Sequence, residues 1–219
     1  MEEYGEVSLD KNWYARMHDM YWIYFFLSTG KRQRKLHRVL VLGHSQLPKS
    51  IRSMRGVHIQ LERRGGASID DLWNVRQYMY ALRKQYDHVV LFLGGNDVTS
   101  VDVDTLYTKL ESAVEHVRQK TGCTYLTVVL IEPRNWHGKD RHQVCSDIYT
   151  SRMFTLNRRL DRLGKRQGFK TLRLSSQPFQ HGHVRDGVHF NFDTQRHLNA
   201  KIVKCIRHVY CEARRKEAA

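Results

Sequence analysis

From residue 38 onward, short runs of branched apolar residues alternate with longer stretches of helical periodicity. The runs at 38–42 and 88–93 are valine- and leucine-rich and each is followed by glycine, a pattern typical of buried parallel strands. Residues 124–131 form a third such run, 171–174 a weaker fourth, and 58–61 a further strand candidate. Helical spacing fills the intervals. The stretch 69–85 follows Ser68 as a candidate cap, with Asp70 and Asp71 suited to a helix N-terminus. Residues 103–120, 149–167 and 193–216 are also helical in pattern. Strands alternating with helices of this length predict an α/β fold: three layers, α/β/α, around a central parallel sheet. In such folds the active site gathers beyond the C-terminal ends of the strands. Ser45 and Asn96 lie just past the ends of two predicted strands.

Four separated segments carry the chemistry. Gly43-His44-Ser45 closes the first strand. Gly43 permits a tight turn that would expose the Ser45 hydroxyl, and a helix starting near Pro48 would add positive potential there. Asp186-Gly187-Val188-His189 places a carboxylate three residues before an imidazole across a glycine turn, so that both face one crevice. In this reading His189 takes the Ser45 proton while Asp186 fixes the imidazole tautomer. Gly94-Gly95-Asn96-Asp97 follows a strand and offers the Asn96 amide as a donor to an oxyanion. Gly65-Gly66 precedes a predicted helix and offers a backbone N–H; the choice between Gly65 and Gly66 stays open. His137, His142, His181 and His183 read as bystanders, and His181-x-His183 lacks a third ligand, so no metal and no cofactor is expected.

The ordered set resembles the SGNH (GDSL-type) hydrolase superfamily, over about residues 38 to 210. The resemblance implies an SGNH/flavodoxin-like fold and a serine esterase acting on a carboxylic ester, such as an acetyl ester, through an acyl-enzyme. By resemblance Ser45 is the nucleophile and also an oxyanion donor, Gly66 and Asn96 are the other donors, His189 is the base and Asp186 its partner. Asn157 lies where relatives carry a similar Asn and has no catalytic role assigned. The chain departs from the usual Gly-Asp-Ser in having His44, which changes the hydrogen bonding around Ser45 and leaves the triad intact. A Gly-His-Ser version in a basic chain is similar to the esterase-like domains of some animal mobile elements, non-LTR retrotransposons among them. Arg134 and Trp136, after the third strand, either line the crevice or belong to loop surface.

The 219 residues suit one domain (38–219) with an N-terminal extension (1–37). The extension is aromatic between Trp13 and Phe26 and then basic, and it offers either a packed helix, a partner surface or an oligomerisation arm. Against 22 acidic residues stand 37 Lys and Arg, a net charge of +15 that favours polyanionic partners such as RNA, DNA or an acidic membrane surface. The candidate contacts are Lys31, Arg32, Arg34 and Lys35, then Arg214, Arg215 and Lys216, with Arg63-Arg64 and Arg158-Arg159 as further clusters. An alternative function is therefore an SGNH-like nucleic-acid platform. Cys123, Cys145, Cys205 and Cys211 show no C-x-x-C pair and are expected as free thiols. The longest apolar run, 20–27, is too short for a membrane span, and the acidic start is unlike a secretory signal, so an intracellular location is expected.

Overall fold

Five parallel strands form a single sheet in the order β2-β1-β3-β4-β5. The structure is a computed structural model that describes residues 35–134, 146–174, 176–184 and 186–218. The strands are β1 (His37–Gly43), β2 (Val57–Arg63), β3 (His88–Phe92), β4 (Tyr125–Val129) and β5 (Lys170–Leu172). All five sequence candidates are present, and the tentative segment around 58–61 is a full seven-residue edge strand. β1 begins at His37, one residue earlier than the expected domain boundary.

Alternation of side chains across the strands divides the core into two. Leu40, Leu42, Val89, Leu91, Leu126 and Val128 face one way and pack with apolar residues of helices α1 (Asp71–Asn74), α2 (Arg76–Leu82), α3 (Val103–Thr121) and α4 (Ser146–Gln167). Val39, Val41, Val90, Phe92 and Val129 face the other way, toward α5 (Gln177–His181) and α6 (Phe192–Ala218). Each helix spends one apolar stripe on the sheet, so the predicted three layers follow from the pattern alone.

Helix α3 is capped at both ends. Asp102 accepts from the N–H groups of Asp104 and Thr105, and Gly122 ends the helix at φ +60° with its N–H on Arg118 O. The stretch 69–85 departs from expectation: it is two short helices, because Val75 is extended (φ −94°, ψ 117°) between them. Ser68 does not cap; its N–H instead donates to Asp71 Oδ2. No helix starts near Pro48, since 44–53 is a succession of turns and bends, and the expected dipole behind Ser45 is not available. Among the described residues, no helix is long and apolar enough to cross a membrane, and Cys123, Cys205 and Cys211 are free thiols. Cys145 and residues 1–34, with the expected oligomerisation arm, lie outside the described residues.

His88 is fully buried in β3, its Nε2 3.0 Å from Thr127 Oγ1 on β4. Burial, aided by the positive surroundings, lowers its pKa to about 3. The unfolded chain therefore binds a proton at this residue below about pH 6.5 that the folded chain refuses, and folding weakens as pH falls through that window. Asp97, raised to about 6 by burial, acts in the opposite sense, so the His88 contribution is isolated only by comparison with a variant. Relative to His88→Val, the natural protein should lose about 2 kcal/mol of stability between pH 7.5 and pH 5. Urea denaturation at both pH values measures it; parallel pH profiles for the two proteins would contradict the assignment.

Candidate functional site

The strand order reverses at β1: the chain passes to β2 on one side, then returns to place β3 on the other. Beyond the C-terminal ends of β1 and β3 the two loops diverge, and a crevice opens between them. Gly43 sits at this point. A Cβ there would lie 2.3 Å from Phe92 O and 2.9 Å from Leu47 Cδ1, so only glycine lets the two strand ends approach. Tyr78 Oη donates to Gly43 O at 2.7 Å and holds the exit of β1.

Ser45 follows directly, partly exposed, with Oγ 3.1 Å from His189 Nε2. His189 Nδ1 is 2.7 Å from Asp186 Oδ2. The other Asp186 oxygen accepts the N–H groups of Val188 (2.8 Å) and His189 (2.9 Å), a turn allowed by Gly187 at φ +65°. Burial alone would raise the Asp186 carboxyl, but the bonds from the His189 ring and these two amides outweigh it and hold the pKa below the usual carboxylate range. An ionised carboxylate only accepts, so the hydrogen of a neutral His189 ring sits on Nδ1 and leaves Nε2 free to accept from the Ser45 hydroxyl. The structure thus brings Ser45 to an acid–imidazole pair more than 140 positions further along the chain.

The donor loops are tied to each other. Asn96 Nδ2 donates to Ala67 O at 2.9 Å, and Asp97 accepts from Ile69 N–H through both oxygens (3.3 and 3.2 Å). The Asn-Asp pair after β3 therefore grips the backbone on both sides of Ser68, fixing the Gly65-Gly66 segment against the site. Gly66 has φ +68° and Gly65 does not, so glycine is conformationally required at 66. Among the described residues, no acceptor engages the N–H of Ser45 or of Gly66.

Beneath these loops lies a buried charged network that the sequence did not single out. Glu132, two residues past Leu130 and fully buried, has Oε1 3.4 Å from Arg134 Nη2 and Oε2 3.6 Å from His44 Nε2. Burial alone would raise the Glu132 carboxyl; the His44 imidazole and the Arg134 guanidinium outweigh it and hold it low, at about 2. The same Arg134 Nη2 donates to Asn96 Oδ1 at 2.9 Å. Arg134 is thus neither crevice lining nor loop surface but a buried support. Its guanidinium also lies over the Tyr149 ring (5.1 Å), whose hydroxyl donates to Glu132 O at 2.9 Å. The departure from Gly-Asp-Ser acquires a physical partner here: His44 faces a carboxylate.

Two more residues act on the Ser45 turn. Gln46, buried, accepts from Phe190 N–H at 2.9 Å and donates to Val188 O, so one amide brackets His189 on both sides. Arg63 donates to Ser45 O through Nη2 (2.8 Å) and Nε (3.3 Å). It is turned inward, not displayed as part of a basic surface cluster. Asn157 clips α4 to the end of β4, accepting from Ile131 N–H (2.8 Å) and donating to Ile131 O (2.9 Å). His183 Nε2 lies 3.0 Å from Pro133 O. Of the proposed nucleic-acid contacts, Lys35 and Arg215 are exposed, while Arg214 is paired with Glu217 (2.8 Å) and Lys216 with Glu212 (3.3 Å). Lys31, Arg32, Arg34, Trp136, His137 and His142 lie outside the described residues.

Solved structures share this architecture. A carbohydrate acetylesterase from Sinorhizobium meliloti has a TM-score of 0.60 at 17% identity, covering 79% of this chain and 99% of that one. A GDSL-like lipase from Bacteroides thetaiotaomicron has 0.60 at 15%, over 86% and 97%. A member of the lipolytic protein G-D-S-L family from Veillonella parvula has 0.58 at 17%, over 76% and 96%. No family model and no curated protein matches the sequence. The chain has the α/β fold of the SGNH hydrolases, as the four segments led us to expect. These structures lend no support to the likeness with mobile-element domains.

A Cβ on Gly95 would stand 2.5 Å from Glu132 Oε1 and 2.7 Å from Oε2, whereas one on Gly65 would meet nothing within 4 Å. Gly95→Ala should therefore cost about 1–3 kcal/mol of stability and Gly65→Ala less than about 0.5 kcal/mol. Thermal and urea unfolding of the two variants test this, and equal losses would show that the carboxylate does not press on that loop.

Proposed function

We propose that this protein is a serine esterase that cleaves small carboxylic esters, acetyl esters among them, through an acyl-enzyme. The observation that carries this reading is the continuous run Ser45 Oγ, His189 Nε2, His189 Nδ1, Asp186 Oδ2, with contacts of 3.1 and 2.7 Å. Ser45 Oγ attacks the ester carbonyl carbon as its proton passes to His189 Nε2. The carbonyl electrons move onto oxygen, where the N–H groups of Ser45 and Gly66 and the second Nδ2 hydrogen of Asn96 receive them. Collapse re-forms the carbonyl and breaks the bond to the alcohol, which leaves with the proton from His189. Water, deprotonated by the same imidazole, then attacks the acyl-Ser45 ester and releases the acid. Asp186 stabilises the imidazolium in both halves. As the acid leaves, the imidazolium returns the proton taken from water to Ser45 Oγ, so the cycle closes with water as its co-reactant.

Glu132 and Arg134 are positioning residues in this scheme. A guanidinium has no acceptor and a carbonyl no donor, so Arg134 and Ala67 O together dictate which way the Asn96 amide points. Its nitrogen, not its oxygen, is then offered to the oxyanion. His189 and Asp186 are each about half exposed, 47% and 48%, and Ser45 is partly exposed, so an ester can reach the nucleophile from solvent. The support from neighbours is of the same kind: the similar structures include proteins described as esterase, lipase and acetylesterase.

Hydrolysis of p-nitrophenyl acetate by the purified chain tests the scheme. Ser45→Ala should lower kcat/KM by at least about 10³-fold, and Asn96→Ala by about 10²–10³-fold. Undiminished turnover in Ser45→Ala would remove that hydroxyl from the mechanism. Arg134→Ala should lower kcat by about 10–10²-fold with little change in KM. In an Asn96→Ala background the same change should have almost no further effect, because Arg134 acts through that amide. Full additivity in this cycle would assign Arg134 a general structural role instead.

A further inference from the structure

A basic groove runs along the outer side of α6, and it is not the one the charge clusters in the sequence suggested. It is lined by Arg52, Arg196, Asn199, Ala200, Val203, Lys204 and Arg207, and has a volume of about 610 Å³. Its four charged residues are all cationic and exposed, and among the described residues none of them is held in an ion pair. Of the three acids on α6, Glu212 is engaged by Lys170 and Lys216 and Glu217 by Arg214, which leaves Asp193, one turn before Arg196, against the four cations of the groove. The positive potential of the groove is therefore left for an external anion.

The groove has a built wall. Asn199 donates to Ser50 O (3.0 Å) and accepts from Arg52 N–H (3.4 Å), fastening the segment that follows the Ser45 turn onto the helix. This bridge holds Arg52 opposite the helical cations. One turn before Arg196 stands Phe192, 75% exposed, with the Arg196 guanidinium 5.8 Å above its ring. From Phe192 to Arg207 the helix advances about 22 Å. An open aromatic face followed by a line of unpaired cations is the combination that holds a single strand, with a base on the ring and phosphates on the cations.

We propose that this groove binds single-stranded nucleic acid through its phosphate backbone, with Phe192 as a stacking platform. Sequence indifference follows, since no side chain in the groove is arranged to read base edges. An anionic membrane fits less well, because the charges line a concavity and Phe192 is the sole large apolar residue exposed on the described part of α6. The groove is independent of the hydrolytic scheme, and none of its residues belongs to it.

Fluorescence anisotropy with a labelled 20-nucleotide RNA and the corresponding DNA, using the full chain, decides the matter. Four phosphate contacts predict a salt slope near −3, so that affinity falls roughly 50-fold between 50 and 200 mM salt. Arg196→Glu/Lys204→Glu/Arg207→Glu should abolish measurable binding. Arg83→Glu/Lys120→Glu/Arg158→Glu changes the net charge equally at the end of α2 and on α3 and α4, in the opposite layer, and should weaken binding far less. Phe192→Ala should lower single-strand affinity several-fold at an unchanged salt slope. Equal loss in the two charge-reversed proteins would overturn the proposal in favour of diffuse net charge. Binding of phosphatidylserine vesicles without binding of either oligonucleotide would overturn it in favour of a membrane contact.

Discussion

A carboxylate sealed from water must be met by polar partners, and the arrangement of this site depends on how Glu132 is met. On one side is His44, the residue immediately before the serine. On the other is Arg134, which also holds the Asn96 amide. One buried anion thus links the ends of β1, β3 and β4, the three central strands. Such a group is costly to desolvate, and removing either partner would leave an uncompensated charge. What it supplies is register: the turn carrying Ser45 and the loop carrying Asn96 refer to the same point. Gly95 belongs to the same device, since the carboxylate occupies the space its side chain would need.

The fold supplies the rest of the positioning cheaply. A parallel sheet whose order reverses at β1 leaves a crevice at the ends of β1 and β3 whatever residues fill it. The chain furnishes it with short polar ties, each anchored on backbone: Gln46 to the residues flanking His189, Asp97 to Ile69, Arg63 to the Ser45 carbonyl. Backbone anchors are insensitive to side-chain identity elsewhere, which suits a fold shared with proteins at about 15% identity.

The elements legible in the sequence were those with local signals. Strands declared themselves by apolar runs, α3 by its helical spacing, and the proposed nucleophile, base and acid by their short motifs. The break at Val75 was hidden because apolar spacing continues through it; only the backbone shows the extended residue. The Glu132–Arg134–Asn96 network was hidden for a different reason. A Glu two residues before an Arg after a strand looks like loop surface, and nothing local announces that both are buried. A chain end rich in cations likewise looked like a binding patch, yet Arg214 and Lys216 are tied to acids one turn away, while unpaired cations line up further back on the same helix. Long-range pairing, which no local pattern encodes, separates the two outcomes.

The proposed chemistry stands or falls with activation of the Ser45 hydroxyl by the imidazole 3.1 Å away. Reaction with a fluorophosphonate, followed by intact-mass and peptide-mass analysis, tests it most directly, because the phosphonyl group reports nucleophilicity without requiring the natural substrate. The account predicts a single stoichiometric adduct on the peptide containing Ser45, lost in Ser45→Ala and strongly slowed in His189→Ala. A folded natural protein that takes up no label, or takes it up on another residue, would contradict it.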